Sequence, residues 1–234
     1  MPTLNAHIVK RRRALSVDVR LHLEQGERLA LFGASGAGKS TVLSCLAGIE
    51  NPDAGRIQFG ETVFFPPSLP LYQRPLAYLT QSDSLFPHLS VGDNVCFGLR
   101  DHESNGAREW VEELKQRLAL GPLWNESARQ ISGGQARRVA LARMLARRPP
   151  LVLLDEPFTA VDRPTIGELV DAILQWHREL GFTLIAVDHR ADILERLCTR
   201  TAAIEGGRVI QEGTWPELTA APATPTLARL LSTD

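Results

Sequence analysis

The chain has 234 residues, 44% of them apolar, enough to bury a conventional core in one large or two small domains without staples. With 26 basic against 27 acidic side chains the net charge is −1, which argues against a dominant nucleic-acid footprint. Cys45, Cys96 and Cys198 are odd in number, far apart and without ligand spacing, which argues against a disulfide framework or zinc site and fits a reducing cytoplasm.

Leu15, Val17, Val19, Leu21 and Leu23 alternate with polar residues, the period of a strand with one buried face, and Leu4, Ala6 and Ile8 suggest its hairpin partner. Lys10-Arg11-Arg12-Arg13 between them reads as a solvated connection. This N-terminus is too short and polar for a signal peptide, and no stretch approaches the ~20 apolar residues of a membrane span. A short apolar run from Leu29 to Phe32 ends at Gly33, and Ser40 to Ile49 reads as a helix closed by Gly48 and Pro52. Arg56 to Phe65 is β-rich, and the Pro-rich stretch from Pro66 to Pro75 reads as a loop.

Between Ser104 and Gly121, Trp110, Leu114 and Leu118 recur at helical spacing, and a further helix runs from Ser132 toward Arg148. Leu151 to Leu154 and Phe182 to Val187 are continuously apolar, as strands buried in parallel sheets are. A helix from about Pro164 to Leu180, with Pro in its first turn and Gly181 at its end, joins them as a crossover. Arg208 to Glu212 reads as a late hairpin strand after Gly206-Gly207, and the tail from Ala220 is rich in Ala, Pro and Thr with a short apolar finish.

Three motifs carry chemistry. Gly33-Ala34-Ser35-Gly36-Ala37-Gly38-Lys39-Ser40 matches a phosphate-binding loop between a strand and a helix, where backbone N–H groups converge on phosphate oxygens; Thr41 follows. A chance match in a chain this long is on the order of one per cent. Lysine is otherwise scarce, with Lys10, Lys39 and Lys115 the only three, and a compact ammonium suits a wrapped phosphate. Ser40 would offer its hydroxyl to Mg²⁺. Leu151 to Glu156 delivers adjacent carboxylates at the C-terminal end of a buried strand. Asp155 would hold Mg²⁺ through water, leaving Glu156 to accept a proton from an attacking water. Ser132-Gly133-Gly134-Gln135 opens a helix: Ser-x-x-Gln is a capping box, but two first-turn glycines cost about 1 kcal/mol each against alanine, which favours close approach of a ligand to the backbone.

A phosphate loop, Gln81, Ser132 to Gln135, Asp155-Glu156 and His189, in that order, resemble an ATP-binding-cassette (ABC) ATPase of the bacterial importer type across nearly the whole chain. The resemblance implies an α/β fold: a P-loop NTPase core, mostly parallel sheet flanked by helices, with an N-terminal antiparallel β subdomain and an inserted helical subdomain. Residues 1–234 would form one ATPase domain, with 1–80 and 150–220 as the core, 82–148 as the helical signature subdomain and 221–234 as a short tail. It implies ATP and Mg²⁺ as cofactors, Gln81 as an added metal-sensing ligand and His189 as a switch near the γ-phosphate beside Lys39. It further implies head-to-tail pairing with a second subunit, so that Ser132, Gly133 and Gly134 reach the partner's ATP and Asp162 faces across the pair.

The chain departs from the family pattern in reading Asp188-His189-Arg190 where Thr-His-Asp is common. No aromatic residue precedes Phe32 to stack on adenine, leaving His7 or an arginine of the basic turn for that task. Ser84 to Val95 is similar to the segment that docks on a separate transmembrane permease, with Leu85, Phe86 and Leu89 to be covered by it or buried in the core. In layout the chain resembles thiamine-importer ATPases first and the molybdate type next, without room for a regulatory β-barrel after Asp234. That implies a hydrolase on the cytoplasmic face of the cell membrane, served indirectly by a periplasmic or extracellular solute-binding protein. A non-transport cassette protein and, less well, a metabolite kinase are the alternative readings.

Overall fold

The computed structural model describes residues 2–13, 15–82, 85–99, 105–159 and 161–232, so Ser84, Ser104 and Asp234 among the residues named above lie outside the described ones. Strands β1 (Leu4–Arg11) and β2 (Ser16–Leu23) form the expected antiparallel hairpin, Leu4 opposite Leu23 and Arg11 opposite Ser16. Every second residue of β2 is buried, as its alternation requires. Two of the four cations of the basic turn are paired locally: the Lys10 ammonium donates to Asp53 at 2.9 Å and the Arg12 guanidinium to Glu50. Strand β3 (Arg28–Phe32) runs into the phosphate loop, and α1 (Lys39–Ala47) ends at Gly48, whose φ of 82° reverses the chain. The sequence placed this helix two residues further on, but the left-handed turn leaves Ile49 outside it and exposed. Strands β4 (Ala54–Phe59) and β5 (Thr62–Phe65) complete a four-stranded sheet in the order β2-β1-β4-β5.

After β6 (Leu76–Leu79) come α2 (Val91–Cys96), α3 (Asn105–Arg117) and α4 (Gly133–Ala146), with α2 and α3 packed on α4. Strand β7 (Leu151–Asp155) is buried at all five positions; α5 (Arg163–Leu180) follows, then β8 (Thr183–Val187), also wholly buried. The chain continues through α6 (Ala191–Leu197), β9 (Arg200–Glu205), β10 (Arg208–Gly213), α7 (Trp215–Ala220) and α8 (Pro225–Leu231). The tail, which the sequence left irregular, thus carries a helix. Thr224 caps it by accepting the Leu227 N–H at 3.1 Å, and Pro225 occupies the first turn, where a missing N–H costs nothing.

Contacts divide the chain into two units. The first comprises Met1–Leu76, Pro150–Glu156 and Gly181–Asp234. In it the second sheet runs β10-β9-β3-β8-β7; β9, β3, β8 and β7 are mutually parallel and only β10 is antiparallel to its neighbour. Helix α1 packs on β7 and β1, and α6 on β3 and β8. Because β3, β8 and β7 point the same way, their C-terminal ends share one edge, where open α/β sheets bind ligands. The second unit comprises Ala77–Pro149 and Pro157–Leu180. Helix α5, which the division by sequence put with the core, groups here, its Glu168 and Glu179 paired with Arg138 of α4 and Arg117 of α3. Among the described residues no helix is long and apolar enough to cross a membrane.

Candidate functional site

The phosphate loop connects β3 to α1 in the first unit, and its shape depends on glycine. At Gly33 a Cβ would lie 2.1 Å from the Ile204 carbonyl oxygen, and Gly38, at φ 105°, starts α1 in a left-handed conformation against Val17. The Lys39 ammonium lies across the loop, donating to the carbonyls of Gly33 at 2.7 Å and Ala34 at 2.9 Å. Burial lowers its pKa, while the charges of Glu156 and Asp155 pull the other way. Lys39 and Glu156 line the same cavity.

The Ser40 hydroxyl donates to Asp155 at 3.1 Å, joining the start of α1 to the end of β7. A hydroxyl and a carboxylate beside a phosphate cradle form the hard oxygen donor set that suits Mg²⁺. Among the described residues no group of three or more His, Cys, Asp or Glu could hold a metal. Glu156 has φ +47°, a conformation costing a non-glycine residue ~1–3 kcal/mol, and its N–H donates to the Val187 carbonyl at 2.8 Å. That bond ties the end of β7 to the end of β8, from which Asp188 and His189 emerge.

A cavity of about 440 Å³ opens on this edge. Its walls include Gly33, Ser35, Gly36, Gly38, Lys39, Ser40 and Thr41, together with Glu156, Asp188 and His189. Ala34 and Ala37 belong to the same loop without lining this cavity, and Asp155 reaches the site through Ser40. Of the basic turn's arginines, one of which the sequence offered for stacking, Arg12 lines the cavity, and beside it stands Leu15, a wall residue that sequence reasoning missed. Their approach depends on how far the hairpin reaches over the loop, which no local pattern encodes. His7, the other residue considered for stacking, is 3.0 Å from Asp18 and does not line the cavity.

The remaining expected residues belong to the second unit. Ser132 and Gln135 cap α4 reciprocally: the Gln135 N–H donates to the Ser132 hydroxyl at 3.3 Å, and the Ser132 N–H to the Gln135 side chain at 2.8 Å. A Cβ on Gly133 or Gly134 would meet nothing within 4 Å, so packing among the described residues does not require either glycine. Gln81 is exposed just after β6. Asp162 is exposed too, and its carboxylate accepts the Thr165 N–H at 3.0 Å, a bond that holds its carboxyl below the usual range. Phe86 stacks on the exposed Phe97 at 4.1 Å beneath the Arg143 guanidinium, and Leu85 and Leu89 are half-buried. One buried residue here gave no sequence signal beyond a charge on an apolar helix. Arg137, 2% exposed, donates to the carbonyls of Thr80 and Pro157, the residues next to Gln81 and Glu156 in sequence.

The phosphate loop at the carboxyl edge of a parallel sheet, with Ser40 bonded to Asp155 and Glu156 lining the same cavity as Lys39, defines a P-loop nucleotide-binding protein. Residues 17–159 match the model of the ABC transporter family. The chain belongs to that family. It is 40% identical over 217 residues to a molybdate/tungstate import ATP-binding protein of Thermococcus kodakarensis, covering 92% of this chain and 65% of that one. It is 39% identical over 218 residues to a thiamine import ATP-binding protein of Jannaschia sp., covering 92% and 94%. The chain thus spans under two thirds of its molybdate/tungstate relative and nearly all of its thiamine relative. Among solved structures, a dimeric post-hydrolysis ATP-binding cassette bound to ADP and phosphate matches with a TM-score of 0.76 at 26% identity, over 92% of this chain and 98% of that one. A nucleotide-free cassette at 21% identity shares the fold over both full lengths, with a TM-score of 0.81.

Proposed function

We propose that this chain is the ATP-binding and ATP-hydrolysing subunit that energises a membrane importer for a small solute, thiamine-like or an oxyanion. The observation that carries the reading is the single cavity lined by the phosphate loop, Glu156 and His189, with Ser40 and Asp155 joined beneath it. Relatives described as import ATP-binding proteins for molybdate/tungstate and thiamine support the transport role.

In this reading the loop amides and the Lys39 ammonium hold the β- and γ-phosphates of ATP. Ser40 and Asp155, with Gln81 as a further candidate, would hold Mg²⁺, which when bound neutralises charge on the phosphates. Glu156, fixed by its bond to Val187, orients a water and accepts its proton as that water attacks the γ-phosphorus in line. His189 contacts the γ-phosphate from the end of β8. A second cassette, most simply another copy, supplies Ser132 to Gln135, and the uncrowded glycines leave that helix start free for its phosphate. Asp162 faces across the pair. The half-buried Phe86 and exposed Phe97 make an apolar surface for a separate permease, which would keep the ATPase on the cytoplasmic face of the membrane with a solute-binding protein on the other side.

The test is Glu156→Gln. It should lower phosphate release by about 100-fold or more while preserving ATP binding, and size exclusion with ATP should show a trapped dimer. Undiminished hydrolysis would remove Glu156 as the base; phosphorylation of an added metabolite instead of release of phosphate would replace the reading by a kinase.

A further inference from the structure

The segment leaving β8 carries an ion pair that turnover, as described, does not use. Asp188 lines the nucleotide cavity, yet its side chain is only 1% exposed. One carboxylate oxygen accepts the Arg190 N–H at 3.0 Å and its Nε–H at 3.1 Å; the other accepts from an Arg190 terminal nitrogen at 3.2 Å. The guanidinium thus grips both oxygens, the arrangement that fixes a carboxylate in direction as well as place. The first oxygen also lies 3.4 Å from Nδ1 of His189, whose ring is 66% exposed on the cavity wall.

We propose that Asp188 is a positioning residue for His189. Clamped by Arg190, it keeps the proton on Nδ1 and holds that edge of the ring, leaving Nε2 as the edge presented to the nucleotide. The chemistry is that of any carboxylate behind a working imidazole: the bond at one nitrogen sets tautomer and orientation at the other. The 3.4 Å separation is a contact rather than a formed hydrogen bond, and catalytic contacts of this kind commonly tighten in the substrate complex. The inference rests on His189 contacting the γ-phosphate. The competing explanation is structural, that Asp188 and Arg190 only stabilise the turn into α6, since the Arg190 N–H is among the bonds made.

A double-mutant cycle separates them. ATP hydrolysis by the full chain would be measured for Asp188→Asn, His189→Ala and both together. Acting through His189, Asp188→Asn lowers kcat by about 10-fold with KM within about twofold, and changes kcat by less than about twofold once His189 is alanine. An equal loss in both backgrounds, or no loss in the first, overturns the proposal. If His189→Ala alone leaves turnover intact, the role given to His189 falls, and Asp188 has nothing to position. Should Asp188→Asn fail to fold, Arg190→Ala leaves the carboxylate but releases its clamp. Its loss of about threefold should likewise vanish without His189, and a loss that persists refutes the assignment.

Discussion

Replacing Arg74 with methionine should destabilise the first unit by about 3 kcal/mol, although the residue lies in a stretch the sequence presents as a loop. Arg74 is 1% exposed, and its guanidinium donates to the carbonyls of Leu46 at 2.6 Å, Leu69 at 2.7 Å, Cys45 at 2.9 Å and Phe64 at 3.2 Å. Two of these end α1, where backbone acceptors have run out of helical donors. On truncation, the Cys45 and Phe64 oxygens retain bonds from the Gly48 and Leu69 amides, so the loss falls chiefly on Leu46 and Leu69. A stranded buried acceptor costs about 1–3 kcal/mol, hence about 2–6 for the pair, and some returns because a buried guanidinium is itself poorly solvated. Burial lowers the Arg74 pKa for that same reason. A net of about 3 kcal/mol corresponds to a melting temperature lower by about 6–12 °C in a chain of this size. Thermal and urea unfolding followed by circular dichroism would measure it, and a change below about 1 kcal/mol would show that the four bonds are not what closes α1.

Two further outcomes follow from the cavity and the signature helix. Arg12→Ala should weaken ATP and GTP alike by about fivefold, the worth of an exposed guanidinium stacked on a base, in a fluorescent-nucleotide titration; unchanged affinities would move the base elsewhere. If Ser132 to Gln135 serve the nucleotide of a second copy, specific activity should rise steeply with protein concentration, and a verified monomer with constant specific activity would count against the paired site.

The parts of the site visible in sequence are those whose chemistry is contiguous. Gly33 to Ser40 carries its conformational demands in its own glycines, and Asp155-Glu156 ends a strand whose apolar run announces burial. Arg74 and Arg137 were invisible for the opposite reason. An arginine becomes a structural residue only when folding brings orphan carbonyls to it, and those of Arg74 come from residues up to 29 positions away. Leu15 reaches the cavity through hairpin geometry, which alternation predicts as a strand pair but not as a wall, whereas the basic turn beside it was flagged by its charge and Arg12 is the arginine that lines the cavity. β9 was obscure because Thr201-Ala202-Ala203-Ile204 is small-sided and short, its burial supplied by β3. Pro225 disguised α8, since proline reads as a breaker unless the threonine before it is recognised as a cap.

The amide of Glu156 bonded to the last carbonyl of β8 makes one hinge of what the sequence spells as two distant motifs. Glu156 and His189 leave the sheet from strand ends joined by that bond, so a tilt of either strand end displaces both. A change in the backbone of either strand end should therefore disturb both positions together, whereas a side-chain change such as Asp188→Asn still acts on one of them.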